Sequence, residues 1–180
     1  MEGNRVTRRE LLLAAGTLAG IATVPFSLAA AVPATPSAAE FFKHFGPLTK
    51  LSVAVAQTMP PEKYGFRPHP DSMTFGELMS HIATTNYQFG AGLKDSNPPA
   101  MPSATTKVAI VKFLSDSFDY CSTIISSLTD EQLSTHHDSP DGRLLGREIL
   151  LAMYVHVAHH RGQAEIYLRV NGIKPPSYMV

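Results

Sequence analysis

The 180-residue chain contains one cysteine, Cys121, and no tryptophan. A single thiol cannot close an intrachain disulfide, so the fold has to be held by its core alone. Cys121 lies between Tyr120 and Ile124 in a helical stretch and reads as a small buried hydrophobe, not a nucleophile. An excess of either charge is also missing: 15 Lys plus Arg stand against 15 Asp plus Glu. Arg5, Arg8, Arg9, Glu2 and Glu10 precede Val32, which leaves 12 basic and 13 acidic residues beyond it. That balance provides no electrostatic footprint for nucleic acid or an anionic membrane surface, and no nucleic-acid partner is expected. No segment alternates with period two, so no sheet is predicted. There is no internal repeat.

The N-terminal stretch reads as an address signal. Thr7-Arg8-Arg9-Glu10-Leu11-Leu12 is a twin-arginine start, residues 11–32 carry no charge, and Ala29-Ala30-Ala31 offers a small-x-small cleavage site. The predicted organisation is an export signal over residues 1–31, a Pro-containing linker over 32–37 and a helical domain over 38–180. The protein is then exported, periplasmic or extracytoplasmic, after transient contact with the twin-arginine machinery. An uncleaved signal would leave it membrane-anchored. No Cys follows the signal, so a lipid anchor is not expected.

Helical periodicity marks the rest. Phe41, Phe42, Phe45, Leu48, Leu51, Val55 and Met59 define a first helix from 38 to 59, which Pro47 is expected to kink or delay to about Gly46. Thr74-Phe75-Gly76-Glu77 is a capping box that opens a second helix running to about Leu93. Prolines 98, 99 and 102 separate it from a third, about Ser103 to Leu128. Thr129-Asp130-Glu131-Gln132 caps a short helical turn, and 136–142 reads as a polar loop. The last helix spans about Arg143 to Val170 and stops at Asn171-Gly172. Four long helices with short or moderate connections predict an all-α four-helix bundle.

Eight histidines are distributed along this frame. His44 has no partner spacing, His69 is flanked by two prolines in a loop, and His136 and His137, in the polar loop, are expected to be solvated. His156 and His160 differ. At i, i+4 they stack on one face of a helix, about 6 Å apart, and interrupt its buried apolar stripe. Burying imidazoles without partners costs a few kcal/mol, so a metal or a hydrogen-bond network must compensate. His81, on the same side of the second helix as Leu78 and Thr85, is the candidate third ligand. His159 projects about 100° from His160 and is a poorer one. Three histidines leave an open coordination position, as in reactive centres. Gln163, one turn beyond His160, is a candidate to hydrogen-bond a ligand; Asn86 and Arg161 are further candidates around the site, with structural roles as their ordinary reading.

The run Phe75-Gly76-Glu77-Leu78-Met79-Ser80-His81, then His156-x-x-x-His160-Arg161-Gly162-Gln163 and Tyr167-Leu168-Arg169-Val170-Asn171-Gly172, resembles the DinB-like superfamily over about residues 37–176. The resemblance implies an up-down-down-up bundle, a metal site at His81, His156 and His160, and frequent homodimers. Relatives include metal-dependent transferases and isomerases that use low-molecular-weight thiols, so a small-molecule substrate is expected. Nitrogen ligands suit Zn, Ni or Fe alike. A centre of this kind serves thiol or other group transfer, or hydrolysis. The alternative is a non-catalytic metal-binding stress-response or interaction protein, whose site would be closed by a fourth ligand such as His159 or Glu165.

Overall fold

A computed structural model of the chain describes residues 37–177. The predicted export signal and nearly all of the linker therefore lie outside the described residues. Among the described residues no helix is long and apolar enough to cross a membrane.

Helix α1 (Ala38–Thr58) begins at a capping box that the sequence reading overlooked. Ser37 Oγ accepts from the Glu40 amide, and Glu40 Oε2 accepts from the Ser37 amide. Pro47 sits inside α1 without delaying its start. Pro47 and Lys43, whose carbonyl loses its helical bond to the proline, both lie on the exposed side, so water can replace that bond. A 3-10 turn, Pro61–Lys63, follows. Helix α2 (Phe75–Gly92) starts at the predicted Thr74/Glu77 box. Helix α3 (Lys107–Ser126) starts later than its periodicity suggested because Thr106, not Ser103, caps it. The short helix α4 (Asp130–Ser134) opens at the Thr129/Gln132 box.

The expectation of no sheet is corrected here. Residues predicted as a polar loop form an antiparallel hairpin, β1 (His136–Ser139) with β2 (Gly142–Leu145). Four residues per strand are too few to produce a periodic signal against the background of a polar loop. Gly142 has φ +102°, a value that side chains rarely adopt, and it lets Pro140-Asp141 turn the chain back. Pairing of residues 142–145 postpones helix α5 to Gly146–Val170.

Named contacts fix the helix directions. Gly76 faces Ile110, Asn86 bonds Ser117, and Gly90 faces Ile124, so α2 and α3 run parallel. Phe45 packs on Phe118 while Lys107 Nζ reaches the Gln57 carbonyl, so α1 and α3 are antiparallel. Tyr167 near the end of α5 donates to the Met73 carbonyl just before α2, and Gly92 at the end of α2 meets Asp138 in the hairpin before α5. Those two helices are antiparallel as well. Phe41 meets Tyr154 edge-on, and Lys63 beyond α1 bonds Asn171 beyond α5, so α1 and α5 run parallel. The result is the expected up-down-down-up bundle. Around it the order is α1, α3, α2, α5.

The core is continuous, with Phe45, Phe75, Phe89, Phe118, Ile125 and Ile149 almost wholly buried. Each such side chain contributes about 1.5–3 kcal/mol on leaving water. Cys121 is buried as expected, its thiol donates to the Asn86 carbonyl, and burial pushes it well above the usual thiol range. It is inert packing.

Candidate metal centre

Antiparallel α2 and α5 bring the middle of one against the middle of the other. His81 on α2 thereby meets His156 and His160 on α5, across 75 and 79 residues of sequence. His156 Nε2 lies 3.0 Å from His81 Nε2, and His81 Nε2 lies 3.2 Å from His160 Nε2. The three ligand-capable nitrogens fall within 4.8 Å of one another. All three residues are half-buried. Phe89, two turns beyond His81 on the same face of α2, places its ring 6.0 Å from that of His156 and covers the apolar side.

Protons alone satisfy this arrangement poorly. His160 Nδ1 faces Gln163 Oε1 at 2.8 Å, so Nδ1 carries the hydrogen and Nε2 of the neutral ring presents a lone pair. His81 Nε2 faces both other nitrogens and has one position for a proton, so one close N···N approach is left without a good hydrogen bond. His156 Nδ1 is buried with no hydrogen-bond partner, which costs about 1–3 kcal/mol. One divalent cation among the three Nε2 lone pairs would resolve the close N···N approaches, though it would not give His156 Nδ1 a partner. Ligand nitrogens about 2.0–2.1 Å from zinc stand about 3.3 Å apart in a tetrahedron, a few tenths of an ångström from the spacing found. The donor set fits a metal ion.

Burial also prepares the rings electronically. Desolvation, followed by the neighbouring His160, His81 and His159, lowers His156 to about 4. Desolvation lowers His81 too. His160 is lowered chiefly by desolvation, against a raising hydrogen bond from Gln163. All three are neutral at pH 7, as ligands must be. The native state therefore binds fewer protons than the unfolded chain between about pH 4 and the ordinary imidazole value of 6.5. Stability is complete above pH 6.5 and is lost as pH falls towards 4. Thermal melts of metal-free protein should show a falling Tm across that window, and a flatter profile in His156→Phe; identical profiles would contradict this account.

The candidates around the site separate clearly. Gln163 contacts a ligand-position histidine, with Oε1 on His160 and Nε2 3.1 Å from His159 Nε2. It orients the ring, and Gln163→Leu should weaken metal affinity about 10–100-fold. Gln163→Glu, which keeps the acceptor, should restore most of it; isothermal titration with zinc checks both. Arg161 pairs with Glu165, to which Arg169 also reaches. Asn86 is fully buried and turns to α3, where its Nδ2 donates to Ser117. His159 is exposed and engages Gln163.

Among the remaining histidines, His44, His69 and His136 are exposed, as expected of His136. His137 is not. It is 2% exposed, with Nδ1 3.0 Å from Asp95 Oδ1 and Nε2 2.9 Å from the Gln132 carbonyl. It ties the hairpin to the end of α2. The expectation of solvation failed because neither partner lies on its own strand, and no local spacing announces a bond to a residue 42 positions away.

Comparison with known proteins agrees with the fold. The chain is 27% identical to the Bacillus subtilis protein YjoA over 138 residues, covering 74% of this chain and 90% of that one. The crystal structure of YjoA, a DinB-like protein, superposes with a TM-score of 0.68 at 24% identity, over 78% of this chain and 98% of that one. A DinB-like protein from Bacillus cereus superposes with a TM-score of 0.66 at 20% identity, over 78% and 97%. The family model of the DinB superfamily matches residues 48–164. With the fold, the three-histidine cluster and this match in agreement, the chain belongs to the DinB superfamily.

Proposed function

We propose that the protein binds one divalent ion, Zn, Ni or Fe, through His81, His156 and His160, and acts as a metal-dependent enzyme of group transfer or hydrolysis. The observation that carries this reading is the convergence of three neutral Nε2 atoms from two helices. Two residues that would have to swing in to close such a site are committed elsewhere: His159 to Gln163, and Glu165 to Arg161 and Arg169. This supports an open coordination position and argues against a closed structural clip. When bound, the ion would supply Lewis acidity and lower the pKa of a substrate thiol or water. The chain's own part is to hold the three rings in place, with Gln163 fixing the tautomer of His160 and Phe89 excluding water behind His156.

Residues 1–31 are proposed as a twin-arginine signal that exports the folded, loaded protein. A substrate in the cell envelope fits that destination better than the cytoplasmic thiols used by characterised relatives.

Elemental mass spectrometry of protein purified without a histidine tag tests the reading. About one divalent ion per chain supports it; none, even after reconstitution with Zn, Ni and Fe, would overturn it. Loaded protein is then screened for thiol transfer and hydrolysis, and inactivity of both metal-loaded and metal-free forms in every assay would favour the non-catalytic alternative.

A further inference from the structure

A metal ion on the three Nε2 atoms leaves one polar atom of the centre to be provided for. With the ion on Nε2, a neutral imidazole carries its hydrogen on Nδ1, and ligating histidines almost always donate that hydrogen to an oxygen. His160 has such a partner in Gln163 Oε1. His156 does not: its Nδ1 is buried and has no hydrogen-bond partner among the described residues. An N–H buried in that condition is destabilising, and nothing fixes which ring nitrogen faces the ion.

Two ring contacts locate the answering group. His81 and Phe89 lie on one face of α2, and their rings stand 4.9 and 6.0 Å from that of His156. Thr85 is midway between them, one turn from each, so it occupies the same face against the same imidazole. Helical side chains tilt towards the N-terminus of their own helix. Across the antiparallel pair α2 and α5, that tilt carries Thr85 towards His81 and His156 towards Phe89, so the two converge. Thr85 is 6% exposed, and its hydroxyl makes no hydrogen bond among the described residues. A helical threonine commonly turns its hydroxyl to the carbonyl one turn back, as Thr58 does to Ala54. Thr85 does not, and its oxygen is uncommitted. The neighbouring acceptor Asn86 Oδ1 is also buried without a partner, but Asn86 stands about 100° further round the helix. Its Nδ2 is held on α3 by Ser117.

We propose that Thr85 is the positioning residue of His156. Its Oγ1 accepts the hydrogen of His156 Nδ1 when the ion is on Nε2, and donates its own hydrogen to the His81 carbonyl one turn back. The inference rests on the metal reading above and adds that a neutral side-chain oxygen orients each α5 ligand. Gln163 does so from α5 itself, and Thr85 from α2. Orientation of His156 therefore depends on the docking of the two helices, whereas that of His160 is set within one.

Isothermal titration of the full chain with zinc tests this. Thr85→Val keeps the branched shape and deletes the hydroxyl. It should weaken zinc binding about 10–100-fold, and Thr85→Ser should recover most of that loss. The metal-free proteins should melt alike, with Thr85→Val no less stable than wild type, because the hydroxyl it removes is bonded to nothing there. Proton–nitrogen NMR of the zinc-loaded chain supplies a readout that packing alone would not move. A slowly exchanging hydrogen on His156 Nδ1 is expected in wild type and Thr85→Ser, and fast exchange in Thr85→Val. In wild type that hydrogen should also show a cross-peak to the Thr85 side chain, which needs no variant to be read. Wild type that takes up no zinc would overturn the metal reading and this inference with it. Wild type that binds zinc while Thr85→Val binds as tightly would overturn the inference alone. So would equal losses in Thr85→Val and Thr85→Ser, or a protected Nδ1 hydrogen without the cross-peak.

Discussion

His156→Ala is expected to abolish metal binding by the three-histidine cluster, and His159→Ala to leave it mostly intact. The two histidines are three residues apart on one helix, so composition, net charge and helix propensity change almost equally in both variants. They differ in direction. His156 Nε2 points at His81, 3.0 Å away, whereas His159 Nε2 points at the Gln163 amide. Removing one of the three proposed ligands would leave two imidazoles, and affinity should fall by well over the 10–100-fold typical of an outer hydrogen-bonding partner. His81→Ala and His160→Ala should behave like His156→Ala. His159→Ala removes only a brace on Gln163, so its loss should stay within about tenfold. Metal content by elemental mass spectrometry, followed by competition with a chromogenic chelator, measures both. Equal loss from His156→Ala and His159→Ala would refute the ligand assignment. Full retention of metal in His81→Ala would show that α2 contributes nothing to the site.

The largest effect on stability is expected from Gly92→Ala, with Gly146→Ala close behind. A Cβ on Gly92 would overlap the Asp138 carbonyl oxygen of the hairpin, and one on Gly146 would overlap the Gln132 carbonyl oxygen. In both cases the obstacle is backbone, which no change of rotamer can move. Overpacking of this kind costs about 1–3 kcal/mol or more. Both glycines sit at helix ends, so little helix propensity is gained in return. A net loss of about 2–3 kcal/mol corresponds to about 5–10 °C in Tm for a chain of this size. Gly162→Ala is the contrast. It lies mid-helix with open space around its Cβ and should stabilise by about 0.5–1 kcal/mol. Differential scanning calorimetry of the three variants checks the order. A Gly92→Ala protein as stable as wild type would mean that the hairpin is not seated on α2 as described.

Part of this was legible locally. The Thr74/Glu77 and Thr129/Gln132 boxes declared two helix starts, and the apolar spacing of α2, α3 and α5 declared their buried faces. Pairing of His156 with His160 was equally local, because a helix sets the distance between residues four apart. The face of its helix already made His81 the candidate third ligand, and resemblance to the DinB-like superfamily supported that choice and added the order of the helices. The hairpin was not legible, since four-residue strands carry too little pattern. The burial of His137 also went unread, because its partners come from the end of α2 and from α4.

Local chemistry, readable along the chain, specifies which residues form helices, which helix faces avoid water, and that two histidines share one face. Capping, propensity and hydrophobic period act over a few residues and can be read in one dimension. Tertiary structure alone decided that His81 Nε2 stands 3.0 and 3.2 Å from its two counterparts, and that His137 is an interior tie. It also decided that α5 turns a second apolar face to solvent. Each of these depends on how α2, α5 and the hairpin dock. Docking is set by the summed packing of the whole core, which no short window of sequence contains.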